Sequence, residues 1–140
     1  MFGIGALSRD TGCHIETIRY YEKLGLLPEP QRSAGGHRLY NKTHLKHLTF
    51  ILKARSLGFS LDKTRELLSL SENSNRSCSE ALMLVEANLK TVSEKIMELQ
   101  RIKEALLIMS GDCKGCCPSA KAPDCTIVES LFNDKNADKN

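Results

Sequence analysis

The sequence predicts a mainly α-helical fold, in which a helix-turn-helix with a β-ribbon wing precedes one long helix and a Cys-rich C-terminal segment. Three observations predict it. Aromatic residues make up 5% of the 140 residues and Trp is absent, which is usual for a helical protein and low for a β-sandwich. Two short helical segments are separated by one glycine and followed by a Gly-Gly turn. Farther along, apolar residues recur at spacings of three and four, the period of a helix that buries one face.

Two short helices form the predicted helix-turn-helix. Residues 4–11 make the first helix, which Gly12 ends, and residues 14–24 make the second, which Gly25 closes. A proline shortly afterwards prevents further helix, because proline disfavours helical backbone in the residue before it. The inward face of the second helix is formed by Ile15, Ile18 and either Tyr21 or Glu22.

Residues 31–40 predict a wing made of two short antiparallel strands. A Gly-Gly pair supplies the turn between them, because glycine adopts positive φ without steric cost. Arg32, His37 and Arg38 flank this turn and give the wing a basic tip.

Two further helices follow the wing, each preceded by a polar capping residue. Asn41 caps a helix over residues 42–57, which ends at Gly58. Ser60 caps a fourth helix over residues 61–70. In both cases the capping side chain accepts hydrogen bonds from N–H groups of the first turn that have no partner within the helix.

The longest predicted helix covers residues 77–110 and is ended by Gly111, after a polar segment that closes a first domain of residues 1–71. With a rise of 1.5 Å per residue, this helix is about 50 Å long. A second copy of the chain should cover its apolar stripe, in a parallel or an antiparallel two-helix dimer. The alternative is a stripe packed on the chain's own first domain. The stripe has heptad spacing with a one-residue slip, and comprises Leu82, Val85, Leu89, Val92, Ile96, Leu99, Ile102, Leu106 and Met109.

The C-terminal part combines a Cys-rich loop and a short helix within residues 111–132 with a polar tail, 133–140, that we expect to be disordered. Five of the six cysteines follow residue 77, whereas all four histidines precede residue 48. No signal-peptide pattern is present and no apolar run reaches the roughly 20 residues that cross a bilayer, which predicts a cytoplasmic protein without a membrane partner. Clustered cysteines in a reducing compartment indicate metal or redox chemistry rather than disulfides. The remaining cysteine, Cys13, is expected in the core.

The basic first half of the chain favours a nucleic-acid partner. Residues 1–70 contain eleven Lys and Arg against six Asp and Glu, whereas residues 71–140 contain nine against eleven. Duplex recognition needs a helix that enters the major groove, backbone anchors beside it and two copies at a fixed spacing. For each candidate the alternative is ordinary surface charge, and Tyr40 either braces the wing or binds phosphate. The candidates are His14, Thr17, Arg19 and Tyr20 in the second helix and Arg32, His37, Arg38 and Tyr40 in the wing.

The strings IGALSRDTG, ETIRYYEKLGLLPEP and RSAGGHRLY resemble the MerR family of transcription regulators, and the resemblance runs from Ile4 to about Phe132. It implies a homodimer with winged-helix heads, joined by an antiparallel coiled coil and bound to promoter DNA. It further implies that an inducer makes the dimer distort the promoter, so that RNA polymerase finds both promoter elements in register. An enzyme is not expected, because no nucleophile–base set, carboxylate pair or phosphate-binding loop is present.

The resemblance also indicates a metal sensor of the divalent heavy-metal branch. Cys78, Cys113 and Cys125 match the cysteine positions of those sensors, and the site would form across the dimer. Cys116 and Cys117 are additional thiols, and either Cys113 or Cys116 is the first loop ligand. An all-sulfur ligand set favours cadmium, lead or mercury as inducer, and zinc also accepts such sites. The regulated genes would then confer metal resistance or efflux.

One alternative keeps the family and changes the chemistry. The four cysteines of the loop could hold an iron–sulfur cluster within one subunit, which would make the protein a redox-sensing regulator. In that case Cys78 has no role.

Overall fold

The computed structural model describes residues 1–116, 121 and 125–132, and of residues 113–116 only the backbone is described. The chain forms two compact units, Met1–Lys90 and Thr91–Asn140. The predicted fold class is confirmed, because the described residues are mainly helical and contain one small sheet. The elements are α1 (Ile4–Thr11), α2 (Ile15–Lys23), β1 (Gln31–Arg32), β2 (Arg38–Leu39), α3 (Lys42–Ser56), α4 (Leu61–Ser71), α5 (Cys78–Cys116) and α6 (Thr126–Leu131).

The helix-turn-helix has the predicted boundaries to within one residue. Gly12 ends α1 with a left-handed φ of 74°, and its N–H donates to the Ser8 carbonyl oxygen. The backbone of His14 is extended and marks the start of α2. Leu7 from α1 and Ile18 from α2 are completely buried, which fixes the two helices against the rest of the first unit.

The wing is the predicted antiparallel ribbon, with Gln31 opposite Leu39 and Arg32 opposite Arg38. One feature of it was not predicted from the sequence. The N-terminal segment joins the ribbon, since Phe2 and Tyr40 form a bridge in which each backbone N–H donates to the other's carbonyl oxygen, at 2.9 and 2.7 Å. The start of the chain therefore pairs with the residue that follows β2, at the end of the ribbon away from the turn.

The cap of α3 is a reciprocal capping box. Asn41 Oδ1 accepts from the backbone N–H groups of Thr43 at 2.9 Å and His44 at 3.2 Å, which confirms the predicted capping residue. In return, the Asn41 N–H donates to His44 Nδ1 at 3.1 Å. With Nδ1 as the acceptor, His44 Nε2 carries the proton and donates to the Pro28 carbonyl oxygen at 3.0 Å. The His44 side chain is buried, and its burial is tolerated because both ring nitrogens have hydrogen-bond partners.

The first unit contains an apolar cluster built from α1, α2, the wing and α3. The predicted cap of α4 is confirmed, because Ser60 Oγ accepts from the Lys63 N–H at 3.2 Å. The prediction for Cys13 is also confirmed, since this residue is buried and burial raises the pKa of its thiol. The buried cluster comprises Leu7, Cys13, Ile18, Tyr21, Leu26, Leu27, Tyr40, Leu48 and Ile51.

The predicted end of the long helix at Gly111 is wrong. Helix α5 has 39 residues and continues through Gly111 to Cys116, so that the first residues of the expected loop are helical. Gly111 is not among the glycines of positive φ, and it therefore does not act as a C-cap. A glycine inside a helix costs only about 1 kcal/mol relative to alanine, which neighbouring helical residues can offset.

This helical backbone at Gly111 predicts that Gly111→Ala stabilises the protein by about 1 kcal/mol. Among the described residues, no atom lies within 4 Å of a Cβ at this position, so none of them opposes the gain. The measurement is the midpoint of thermal unfolding of the reduced, metal-free protein. Gly12→Ala is the matched control, since its Cβ also meets open space but its φ of +74° is left-handed. The control should lose about 1–2 kcal/mol. Destabilisation by Gly111→Ala would contradict a continuous α5.

The apolar stripe of α5 is exposed to solvent. Val92 is 36% exposed, and the other large stripe residues from Leu82 to Leu106 are 48% exposed or more. Leu82, Val85 and Leu89, the stripe residues in the same unit as the first domain, are therefore not buried on that domain. The second unit adds the predicted short helix α6, which starts after Cys125 and exposes Leu131 and Phe132. None of the helices within the described ranges is long and apolar enough to cross a bilayer.

Candidate nucleic-acid interface and metal-binding cysteines

Helix α2 presents a polar face to solvent. Ile18 and Tyr21 point into the core, which leaves Arg19 and Tyr20 on the outside. Half of the Arg19 side chain is exposed, and its Nη1 lies 3.4 Å from Glu16 Oε1. His14 and Thr17, on the first turns of the same helix, are exposed and half-buried respectively. All four predicted helix residues are thus available to a ligand from outside, although their contacts with DNA stay a prediction.

The tip of the wing is closed by its own basic side chain. Gly36 takes a φ of 82° in the turn, and its N–H donates to the Ser33 carbonyl oxygen at 2.9 Å. Arg32 Nη1 donates to the Gly36 carbonyl oxygen at 2.9 Å, while the rest of the side chain stays exposed. His37 is also exposed, and its backbone N–H donates to Ser33 Oγ at 3.2 Å. The turn is therefore closed by two side chains from its first half, Arg32 and Ser33, which bond to backbone groups of its second half.

Helix α2 and the second wing strand are joined through one carboxylate, that of Glu22. Its Oε1 accepts a hydrogen bond of 2.9 Å from the Tyr40 hydroxyl, and its Oε2 lies 3.1 Å from Arg38 Nε. Sequence reasoning did not assign Glu22 a function. The available signal was its place on the inward face of α2, four residues after Ile18, where a carboxylate needs a partner.

Tyr40 needs a correction as a DNA-binding candidate. Its side chain is completely buried, so no surface of it is left for a phosphate. Burial, the hydrogen bond to Glu22 and the charge of Glu22 raise the pKa of Tyr40 to about 12, against the opposing charges of Arg38 and Arg19. The hydroxyl is thus protonated at neutral pH and donates to the carboxylate. Of the two roles predicted for Tyr40, the structure supports bracing of the wing.

The cysteines lie at the two ends of α5 and at the start of α6. Cys78 is the first residue of α5 and is exposed, whereas Cys125 precedes α6 and is half-buried. The backbone of Cys113 and Cys116 forms part of the last turn of α5, and Cys117 lies outside the described residues, as does the predicted disordered tail. In the part of the chain that the structure describes, no three His, Cys, Asp or Glu residues converge on a possible metal position.

The fold, with the polar face of α2 beside a basic wing, is a winged helix-turn-helix, a type of fold found in DNA-binding proteins. Residues 2–71 match the family model described as MerR HTH family regulatory protein, and residues 45–108 match the model described as MerR, DNA binding. The chain belongs to the MerR family and is a transcription regulator, not an enzyme. The resemblance predicted from the N-terminal motifs is confirmed.

Three relatives show how far the similarity extends. The chain is 38% identical to the HTH-type transcriptional regulator ZntR of Escherichia coli K12, over 94% of this chain and 92% of that protein. It is 36% identical to a mercuric resistance operon regulatory protein of Bacillus cereus, over 94% of this chain and 97% of that protein. Among solved structures, the fold is similar to the crystal structure of the transcription regulator PbrR691 from Ralstonia metallidurans CH34 in complex with lead(II), with a TM-score of 0.79. The two sequences are 37% identical, and the match covers 94% of this chain and 99% of that chain.

Proposed function

We propose that the protein is a metal-responsive transcription regulator that binds promoter DNA in the cytoplasm as a homodimer. Helix α2 and the wing of each copy would contact one half of a pseudo-palindromic site. A soft divalent ion bound between the copies, cadmium or lead in preference to zinc or mercury, would make the dimer distort the promoter. RNA polymerase would then transcribe genes of metal resistance or efflux.

The exposed stripe of α5 supports the homodimer. Residues such as Leu89 and Ile96, which are 62% and 50% exposed, are unfavourable in water unless another apolar surface covers them. Their heptad spacing is typical of a helix that pairs with a second helix of the same kind. Antiparallel pairing brings the first residue of α5 in one copy beside the last turn of α5 in the other.

One observation carries the metal site: the apolar stripe of α5 ends in a thiol at both ends. Cys78 lies four residues before Leu82, the first stripe residue, and Cys113 lies four residues after Met109, the last one. An antiparallel pair that matches Leu82 with Met109 of the partner subunit also sets Cys78 opposite Cys113 of the partner subunit. This register supports Cys113 as the first ligand, while Cys116, one turn farther along, stays the alternative.

The sulfur ligands favour a soft metal ion. Cys78, Cys113 and Cys125 supply three thiolates, with Cys116 or Cys117 available as a fourth, and thiolates bind soft ions in preference to hard ones. Two of the relatives are named for mercury resistance and for bound lead. The iron–sulfur alternative receives no support from these relatives, and it leaves Cys78 without a role.

A metal titration of the reduced protein tests the proposal. Cadmium or lead should give a thiolate-to-metal charge-transfer band and release protons, and competition with zinc and mercury should rank the four ions. The metal-to-dimer ratio at which the band saturates should give the number of metal sites in each dimer. A reduced protein that takes up none of the four ions would contradict the metal-responsive function.

The wing and α2 should contribute to DNA binding in different ways. Arg38→Ala should weaken binding to all duplexes and lower the salt dependence of log K by about one unit, because a phosphate contact releases about one counterion. Arg19→Ala should cost about 1–3 kcal/mol more on a selected duplex than on random DNA if Arg19 reads a base edge. Fluorescence anisotropy over a salt series measures both effects.

Lys63→Ala is the control for these variants, since Lys63 lies on α4 and pairs with Glu66 instead of facing outward from α2 or the wing. It should change neither the salt slope nor the preference for the selected duplex. An unchanged salt slope in Arg38→Ala would argue against a phosphate contact, and equal losses on both DNAs would demote Arg19 to a backbone contact.

A further inference from the structure

The carboxylate of Glu22 connects two residues of the wing to helix α2. The Glu22 side chain is 13% exposed, and each of its oxygens is used by a different residue of the wing. Tyr40 donates from a completely buried hydroxyl, and Arg38 contacts the carboxylate through Nε at 3.1 Å. Because Glu22 lies on α2 and its partners lie in or next to β2, this one group links the two elements.

The Arg38 contact leaves the outer part of the guanidinium free. The contact with Glu22 runs through Nε, and the side chain is still 36% exposed. Among the side chains that the structure describes, Arg38 forms no hydrogen bond and no ion pair besides the one with Glu22. Its two terminal NH2 groups can therefore form the forked pair of hydrogen bonds that a phosphate accepts, while Nε stays anchored.

Charge alone would disfavour a carboxylate at this place. A negative group beside a surface that binds a polyanion weakens the attraction, and its burial costs free energy unless it is paired. A carboxylate at this place favours DNA binding only under one condition. The free energy gained by orienting Arg38 must exceed the free energy lost through the negative charge and the burial of Glu22.

We propose that Glu22 is a positioning residue for DNA recognition, which fixes Arg38 of the wing relative to α2 and so makes specific binding depend on a negatively charged side chain. This inference rests on the DNA-binding function proposed above. Glu22 does not touch the DNA in this scheme. It acts through Arg38, and Tyr40 keeps the carboxylate in place.

Glu16 provides a matched comparison on the same helix. Its side chain is 87% exposed and pairs with Arg19 at a longer 3.4 Å, and it has no contact with the wing. Glu16 is therefore a solvated carboxylate, and its exposed pair with Arg19 holds that side chain only weakly, so its removal should act mainly through charge. Glu16→Gln should tighten binding to every duplex slightly, whereas Glu22→Gln should act in the opposite direction on the specific duplex.

The test uses the full-length protein and a duplex that the wild type selects from a pool with a random central segment. Binding of this duplex and of a scrambled duplex of equal composition is measured by fluorescence anisotropy, with thermal unfolding as a check on folding. Glu22→Gln should lower affinity for the selected duplex roughly tenfold, the effect of losing the ion pair that orients Arg38, and should leave the scrambled duplex unchanged or bound more tightly. Tyr40→Phe, which removes only the second bond to Glu22, should give a smaller loss of the same kind.

A double-mutant cycle separates positioning from general damage. In an Arg38→Ala background Glu22→Gln should cost no further affinity for the selected duplex, because the residue through which it acts is gone. A full additional loss there, or a Glu22→Gln variant that behaves like Glu16→Gln, would overturn the inference and leave the proposed function standing. If Glu22→Gln unfolds, Tyr40→Phe with unchanged duplex preference would overturn it. A wild-type protein that selects no duplex would overturn the proposed function itself, and the inference with it.

Discussion

Replacing Cys78 with serine is expected to abolish the transcriptional response to cadmium or lead and to leave DNA binding unchanged. Cys78 is exposed at the first residue of α5, where it contributes nothing to the buried core. Serine has nearly the same size as cysteine, but its hydroxyl stays protonated at neutral pH and cannot replace a thiolate ligand. A promoter–reporter assay with and without metal measures the response, and anisotropy with the selected duplex measures binding.

The other thiols supply the comparison. Cys116→Ser and Cys117→Ser should each reduce the response less than Cys78→Ser, because each would remove at most an optional fourth ligand. A normal response in Cys78→Ser, together with no response in the Cys116→Ser, Cys117→Ser double variant, would place the site within one loop and contradict the interfacial mechanism. Visible absorption by the anaerobically purified protein would point to the iron–sulfur alternative.

The N-terminal unit could be predicted closely because its elements are specified by short-range chemistry. Asn41 and Ser60 accept hydrogen bonds from the helices that they precede, as expected of Asn and Ser before an amphipathic segment. Gly12 and Gly36 take positive φ at the turns where their sequence context predicts them. Each of these features depends on residues no more than four positions apart, which a single sequence displays directly.

The contacts that could not be predicted join residues far apart in the chain. Glu22 and Tyr40 are 18 residues apart, and Phe2 pairs with Tyr40 over a longer separation. Nothing local distinguishes Glu22 from a solvated carboxylate such as Glu16 until the wing is placed against α2. The predicted helix end at Gly111 is wrong for the opposite reason. Glycine disfavours helix locally, but the helical residues on both sides of Gly111 outweigh this preference. The helical spacing between Met109 and Cys113 became known only when α5 was seen to continue to Cys116.

Truncation of the α5 stripe is expected to have the second large effect, on the dimer. Leu89→Ala combined with Ile96→Ala should raise the dimer dissociation constant strongly, because each buried large-to-small change of this kind costs about 2–5 kcal/mol. Both residues are exposed in a single chain, so the loss should appear in dimer formation and not in the packing of one chain. Sedimentation equilibrium at micromolar protein measures the dissociation constant.

Met97→Ala is the control that isolates the stripe from general apolar content. Met97 is the neighbour of Ile96 and is equally accessible in a single chain, 54% against 50% exposed, but it lies off the heptad positions. If only exposed apolar area mattered, alanine at Ile96 and alanine at Met97 would change the dimer dissociation constant equally. If the stripe is paired, the change should be large at Ile96 and small at Met97. A dimer that is intact in the double variant, or equally weakened by Met97→Ala, would contradict pairing through this stripe. Because the proposed metal site needs Cys78 of one copy beside the thiols of the other, the double variant should also lose its metal response at protein concentrations where it is monomeric.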